Sequence, residues 1–115
     1  MNLSEFRLEM RNYWQAVDTE AKSFKDSDLV REKLHALYEK FDASERQMAD
    51  EIISEWVSSE NEALRFDALV LVDDFKIVVA IPTLRDLASR LASSEAPEAP
   101  YELKKVTRIL GSIDI

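Results

Sequence analysis

The sequence predicts an all-α fold of about six helices, stacked as antiparallel hairpins. Apolar residues recur every three or four positions along most of the chain, which is the spacing of one face of an α-helix. The 115 residues include one glycine and three prolines, far fewer than the turns of a β-sandwich or barrel require. A chain of this length can bury one core, so a single helical domain over residues 1–115 is expected.

The N-terminal 41 residues predict a hairpin of two helices. Asn2 or Ser4 can cap the first helix, and Asp26 or Ser27 can cap the second. A polar segment lies between them. The side chains expected to pack are Leu3, Phe6, Met10, Tyr13, Trp14 and Val17 in the first helix, Phe24 in the polar segment, and Val30, Leu34, Leu37, Tyr38 and Phe41 in the second.

A third helix is predicted to begin at Asp42-Ala-Ser-Glu45, which matches a capping box. Glu51 and Glu55, four residues apart, lie on its polar face. The polar residues 59–61 end this helix and a fourth follows. The residues expected to be buried are Met48, Ala49, Ile52, Ile53, Trp56 and Val57 in the third helix and Leu64, Ala68, Leu71 and Phe75 in the fourth.

Two more helices complete the prediction. The fifth is expected over residues 76–94, with Pro82 in its first turns, where a missing amide proton costs little. After a loop at 93–100, Pro100 or Tyr101 opens the sixth, and Gly111 is expected to end it as a C-cap. The buried positions are Val78, Ile81, Leu84, Leu87 and Leu91 in the fifth helix and Leu103, Val106 and Leu110 in the sixth.

Residues 69–81 allow a second interpretation. They are apolar and rich in β-branched side chains, so in isolation they could form a β-hairpin. The run does not alternate, however, and both of its faces would need cover from a sheet for which no other strands are evident. The apolar spacing also continues into Leu84, Leu87 and Leu91. Helix is therefore the preferred interpretation.

Residues 42–112 resemble HEAT-type helical repeats. Residues 59–71 are similar to the turn and first helix of such a unit, and residues 80–87 to its second helix with a Pro-x-Leu-x-x-Leu core. In the family, the arginine that corresponds to Arg65 packs along the stack and bonds to the preceding turn, where Asn61 is the candidate partner. The resemblance implies a short α-solenoid that binds proteins as a scaffold, usually through a concave face.

The net negative charge of the chain is confined to residues 42–74, called the acidic segment below. This segment holds ten Asp and Glu against two Arg, a net charge of −8, which equals the net charge of the whole chain. Residues 1–41 carry eight acids and seven bases, and residues 75–115 carry five acids and six bases, so the flanks cancel. Such a surface favours a basic protein partner and disfavours direct binding to nucleic acid or to an anionic membrane.

The residues needed for common catalytic sites are largely missing. The chain has no cysteine, a single histidine and a single glycine, which excludes thiolate chemistry, zinc sites built on cysteine and glycine-rich phosphate loops. Glu32-Lys-Leu-His35 has the Glu-x-x-His spacing of carboxylate-bridged metal sites, but such sites need that motif twice. We therefore expect no enzymatic activity, no cofactor and no metal.

The sequence predicts a non-catalytic protein-binding domain. The role that fits best is an immunity protein or antitoxin that neutralises a basic, nuclease-like toxin. The alternatives are a HEAT-type adaptor that binds through an apolar patch and, less favoured, a carboxylate-metal enzyme. No segment resembles a signal peptide or a membrane span, so a cytoplasmic location is expected. The binding residues are expected to be Glu51, Glu55, Glu60, Asp67 and Asp74.

Overall fold

The computed structural model describes residues 2–113, and these form six α-helices and no strand. The all-α prediction is therefore confirmed. The β-hairpin interpretation of residues 69–81 is wrong, because residues 69–75 belong to the fourth helix. The helices are α1 (Leu3–Phe24), α2 (Leu29–Lys40), α3 (Ala43–Val57), α4 (Glu62–Phe75), α5 (Ile81–Ala92) and α6 (Ala99–Ile113), with a short 3-10 helix at Val78–Ala80.

The chain divides into two compact units, Met1–Ile52 and Ile53–Ile115, with the boundary inside α3. In the first unit α1 packs against α2. The core positions here are largely those predicted from the spacing, although Leu3, Tyr13, Leu37 and Phe41 are only half-buried. The buried side chains are Phe6, Met10, Trp14, Val17 and Ala21 of α1, Val30, Leu34 and Tyr38 of α2, and Ala49 and Ile52 of α3.

Side-chain caps fix two helix starts in the first unit. The Glu5 amide donates to Asn2 Oδ1 at 2.8 Å, so the Asn2 alternative is the correct one. At α3 the predicted capping box is confirmed, because the Glu45 amide donates to Asp42 Oδ1 at 2.8 Å and the Asp42 amide donates to Glu45 Oε1 at 3.0 Å. Each cap satisfies amide groups that have no partner within the helix.

Two expectations for the connection between α1 and α2 are wrong. The N-cap of α2 is Asp28, not Asp26 or Ser27, because Asp26 Oδ1 accepts the Asp28 amide and shapes the turn instead. Phe24 does not anchor this connection. Its side chain is 70% exposed at the last position of α1, one turn beyond Ala21, which is the last buried residue of that helix.

In the second unit α5 packs against α6, and α4 also packs against α6. The Ser54 and Thr83 hydroxyls are 2.9 Å apart, which satisfies the buried Ser54 side chain and links α3 to α5. Asp73 on α4 and Arg108 on α6 form an ion pair at 3.3 Å. The buried side chains are Ile53, Trp56 and Val57 of α3, Leu64, Ala68, Leu69, Leu71 and Val72 of α4, Ile77 and Ala80 after it, Leu84 and Leu87 of α5, and Ala99, Val106 and Ile109 of α6.

Several predicted core residues of α3 to α6 are only half-buried, namely Met48, Phe75, Ile81, Leu91, Leu103 and Leu110.

Other errors concern helix ends. Lys76 has a φ of 51° and ends α4 as a left-handed C-cap, which lets Ile77 turn back into the core. The fifth helix therefore begins at Ile81 rather than at Lys76, and Val78 is 63% exposed instead of buried. Pro82 does lie in the first turn of α5, as predicted. Gly111 is not a C-cap, because α6 continues through it to Ile113.

Candidate protein-binding site

The acidic segment forms α3, the turn after it and α4. Glu51 and Glu55 are exposed and lie one turn apart on α3, and Glu60 is exposed in the turn. Asp67 and Asp74 are half-buried and lie two turns apart on α4. Glu51 belongs to the first compact unit and the other four residues to the second. Of the five predicted binding residues, three are therefore exposed and two are half-buried.

Other carboxylates of the acidic segment have structural roles. Asp42 and Glu45 form the capping box of α3, and Asp50 Oδ1 accepts a hydrogen bond from the Tyr38 hydroxyl at 2.7 Å. Asp73 pairs with Lys76 and with Arg108, each at 3.3 Å. Some carboxylates of the acidic segment therefore form hydrogen bonds or ion pairs within the chain. Glu51, Glu55 and Glu60 carry much of the negative charge that is exposed to solvent.

Arg65, one of two bases in the acidic segment, joins α4 to α6. Its Nε and Nη2 donate to the two carboxylate oxygens of Glu102 at 2.5 and 3.1 Å, and both side chains are largely buried. The hydrogen bond to Glu102 raises the pKa of Arg65, so this guanidinium stays charged. The pair is neutral as a whole and fixes the spacing of the two helices.

Arg65 also bonds to the turn before α4, although not to the residue that the sequence indicated. Its Nη1 donates to the Ser59 carbonyl at 2.8 Å. The Asn61 side chain is instead the N-cap of α4, where its Oδ1 accepts the Leu64 amide at 3.2 Å. Asn61 was therefore the wrong partner, because a short amide side chain at an N-cap is already committed to the helix start.

A groove of about 440 Å³ runs between α4 and α6 within the second unit, and it is called the α4–α6 groove below. Two of its aromatic side chains are exposed, Phe66 by 50% and Tyr101 by 79%. Lys105 Nζ lies 3.9 Å from the centre of the Phe66 ring, a cation–π contact. The groove is lined by Glu62, Ala63, Arg65, Phe66, Leu69, Glu98, Tyr101, Glu102 and Lys105.

The sequence reasoning missed this groove. Phe66 lies off the predicted stripe of Leu64, Ala68 and Leu71, which is a signal that this aromatic ring faces solvent. The sequence predicts Tyr101 only as one of two residues that open the sixth helix, and this is wrong, because α6 begins at Ala99. Nothing in the local spacing indicates that Tyr101 lines the same groove as Phe66, because the two residues are 35 positions apart and only the packing of α4 on α6 places them there.

His35 was considered as a metal ligand in the sequence because of its Glu-x-x-His spacing. Its Nδ1 is 3.0 Å from Glu39 Oε1, one turn along α2, and its side chain is 35% exposed. Among residues 2–113, no three His, Asp or Glu side chains are grouped so that they could hold a metal ion. No helix in the same part of the chain has both the length and the apolar character that a membrane span requires.

Comparison of the chain with protein-family models, with curated proteins and with solved structures gives no match. The HEAT resemblance therefore stays a hypothesis, and the function has to be argued from the chemistry of the surface.

Proposed function

We propose that this chain is a non-catalytic protein-binding domain that captures a basic protein through its acidic segment. The observation that carries the proposal is the confinement of the whole net charge of −8 to residues 42–74. Glu51, Glu55 and Glu60 in that segment are exposed. Exposed carboxylates that lie this close in sequence attract a cationic partner and speed its association.

The partner class that fits best is a basic toxin, particularly a nuclease. A nuclease needs a positively charged cleft to hold its substrate, and an acidic helical surface can occupy that cleft in place of the phosphates. The chain would then be an immunity protein or antitoxin that acts in the cytoplasm. The bond from Arg65 to the turn at Ser59 supports a HEAT-like arrangement of the second unit.

The first test measures how strongly binding depends on salt and on these glutamates. The immobilised chain is loaded with a basic candidate partner at low ionic strength and eluted with a NaCl gradient. The triple variant Glu51→Gln, Glu55→Gln, Glu60→Gln should bind roughly tenfold more weakly, because each exposed ion pair contributes about 0.5 kcal/mol. The matched control is Glu9→Gln, Glu20→Gln, Glu95→Gln, which removes the same charge from exposed positions outside the segment.

The second test addresses the toxin. A small basic protein encoded beside the gene for this chain should be purified and assayed for nuclease activity. One equivalent of the wild-type chain should inhibit it, and the triple variant should inhibit less. Inhibition that is independent of salt and equal for both triple variants would contradict the acidic-segment proposal.

A second candidate function is a HEAT-type adaptor that binds through an apolar patch. The exposed side chains of Val78 and Val79, which are 63% and 52% accessible, favour it. Binding of this kind should survive 0.5 M NaCl and should be lost in the variant Val78→Ser, Val79→Ser. The same measurements therefore separate the two functions.

A further inference from the structure

We propose that the α4–α6 groove receives an arginine side chain of the basic protein partner. This inference rests on the proposed function and deepens it, since α4 belongs to the acidic segment. The groove combines what an arginine requires, because exposed aromatic rings from two helices, carboxylates and apolar side chains all line it.

The chain's own lysine shows that a cation is accommodated here. Lys105 reaches from α6 to place its ammonium 3.9 Å from the centre of the Phe66 ring on α4. The face of an aromatic ring is electron-rich and attracts a cation more strongly as water is excluded. The neighbouring Tyr101 ring is 79% exposed, and within residues 2–113 no cation lies over it.

The charges that line the groove favour a positive ligand. Arg65 and Glu102 neutralise one another through their two hydrogen bonds. Glu62 and Glu98 also line the groove, and Glu62 interacts electrostatically with Arg65. The negative charges of these two carboxylates exceed the single positive charge of Lys105, so the groove repels an anionic ligand and attracts a cation.

Arginine matches these groups better than lysine does. Its flat guanidinium can stack on the Tyr101 ring and at the same time donate two hydrogen bonds to a carboxylate such as Glu98. Its aliphatic stem can cover the apolar lining provided by Ala63 and Leu69. An ammonium group is a compact, strongly hydrated charge that gains less from stacking.

The test uses amide NMR spectra of the full chain, titrated with three capped tripeptides. Gly-Arg-Gly should shift the signals of Phe66 and Tyr101. Gly-Lys-Gly should bind about threefold more weakly, which reflects the lost stacking. The citrulline tripeptide has the shape of the arginine peptide without its charge, and it should leave these signals unchanged.

Paired variants assign the binding to the groove. Tyr101→Ala should remove the preference for arginine over lysine, whereas Phe24→Ala, which deletes an aromatic ring that is also 70% exposed but does not line the groove, should not. Glu98→Gln should weaken the arginine peptide about threefold. Its control is Glu95→Gln, at an exposed position that does not line the groove.

Lys105 provides the sharpest comparison. Lys105→Met and Lys104→Met remove the same charge, but only Lys105 occupies the face of the Phe66 ring. If the lysine holds the place of the incoming cation, Lys105→Met should bind the arginine peptide about threefold more tightly than Lys104→Met does. Equal affinities for the two variants would contradict the role given to the Phe66 ring.

The outcomes separate this inference from the proposed function. Shifts confined to residues around Glu51, Glu55 and Glu60, or binding that Tyr101→Ala leaves intact, would overturn the groove as the arginine site while the acidic segment still binds basic proteins. Unchanged spectra with all three peptides would also overturn it. The proposed function fails on a different result, namely equal, salt-independent partner binding by the two triple glutamine variants.

Discussion

Tyr38 connects α2 to α3 in the first compact unit through one hydrogen bond. Its hydroxyl donates to Asp50 Oδ1 at 2.7 Å, and the Arg46 guanidinium lies 5.4 Å from the centre of its ring. Burial, together with the hydrogen bond to Asp50, raises the pKa of the Tyr38 hydroxyl well above its ordinary value of 10.0. The folded chain therefore holds this proton more tightly than the unfolded chain does.

The variant Tyr38→Phe should reveal this difference through pH. At pH 8 the variant should be less stable by about 1 kcal/mol, because the hydrogen bond is lost. Above pH 10 the unfolded wild-type chain releases the Tyr38 proton while the folded chain retains it, so the advantage of the wild type should shrink as the pH rises. Urea denaturation at pH 8 to 11, followed by circular dichroism, measures the difference.

The control for this prediction is Tyr101→Phe. Its hydroxyl is on a side chain that is 79% exposed, so the substitution should leave the free energy of unfolding nearly unchanged at pH 8. A gap between wild type and Tyr38→Phe that stays constant up to pH 11 would show that the hydroxyl titrates alike in both states.

Single residues were predictable where their partners are near in sequence. The Asn2 and Asp42 caps each act on an amide three residues later, so the pattern itself contains both partners. The bond between Arg65 and Glu102 was not predictable, because 37 positions separate them and only the packing of α4 on α6 brings them together. The same reason explains why Tyr101 was missed as a neighbour of Phe66.

At the scale of the helix, the residues that end the helices differ most from those that sequence rules predict. Lys25 and Lys76 adopt the left-handed conformation that usually favours glycine, with φ values of 54° and 51°. The single glycine, at 111, lies inside α6 instead. The rule that glycine marks the helix end failed here because the chain closes α1 and α4 with lysines, at some cost in backbone energy.

Exchanging glycine for alanine at 111 tests this assignment. Gly111→Ala should stabilise the chain by about 0.5 kcal/mol, because alanine favours the helix and an added methyl group meets no atom within 4 Å. A glycine that served as a left-handed C-cap would give the opposite sign. Thermal denaturation followed by circular dichroism distinguishes the two outcomes.

The converse change at Lys25 should also stabilise the chain. Lys25→Gly removes the strain of a side chain in the left-handed region and should gain roughly 0.5–1 kcal/mol. Lys25→Ala is the matched control, since it removes the charge and keeps the strain. If both variants changed the free energy of unfolding equally, charge rather than backbone conformation would be responsible.

For the molecule as a whole, the uneven charge should weaken the folded state at low ionic strength. The acidic segment carries a net charge of −8 in 33 residues, and repulsion between its carboxylates opposes folding. Raising NaCl from 20 to 500 mM shortens the range of this repulsion and should increase Tm by about 5 °C. Scanning calorimetry at the two salt concentrations measures this change in Tm.

The two triple glutamine variants serve as controls for the salt effect. Glu51→Gln, Glu55→Gln, Glu60→Gln should raise Tm at 20 mM NaCl and reduce the further gain at 500 mM. Glu9→Gln, Glu20→Gln, Glu95→Gln should have a smaller effect on Tm at 20 mM NaCl and on its gain at 500 mM. The reason is that these acids lie in flanks that carry nearly equal numbers of acids and bases. A Tm that falls with added salt would mean that attractive pairs outweigh the repulsion.

The spacing of apolar residues predicted the helical class but could not predict the α4–α6 groove. Apolar spacing reports which side of each helix is buried, and it located the stripes of α1, α3 and α4. It contains no information on which helices pack together. The pairing of α4 with α6, on which the groove and the Arg65–Glu102 pair depend, is a property of the folded chain alone.

The placement of the two tryptophans gives the chain a pair of optical reporters. Trp14 is buried in the unit Met1–Ile52 and Trp56 in the unit Ile53–Ile115. In Trp56→Phe the remaining indole reports on the first unit, and in Trp14→Phe it reports on the second. Stopped-flow fluorescence of the two variants would therefore time the refolding of each half separately, without any attached dye.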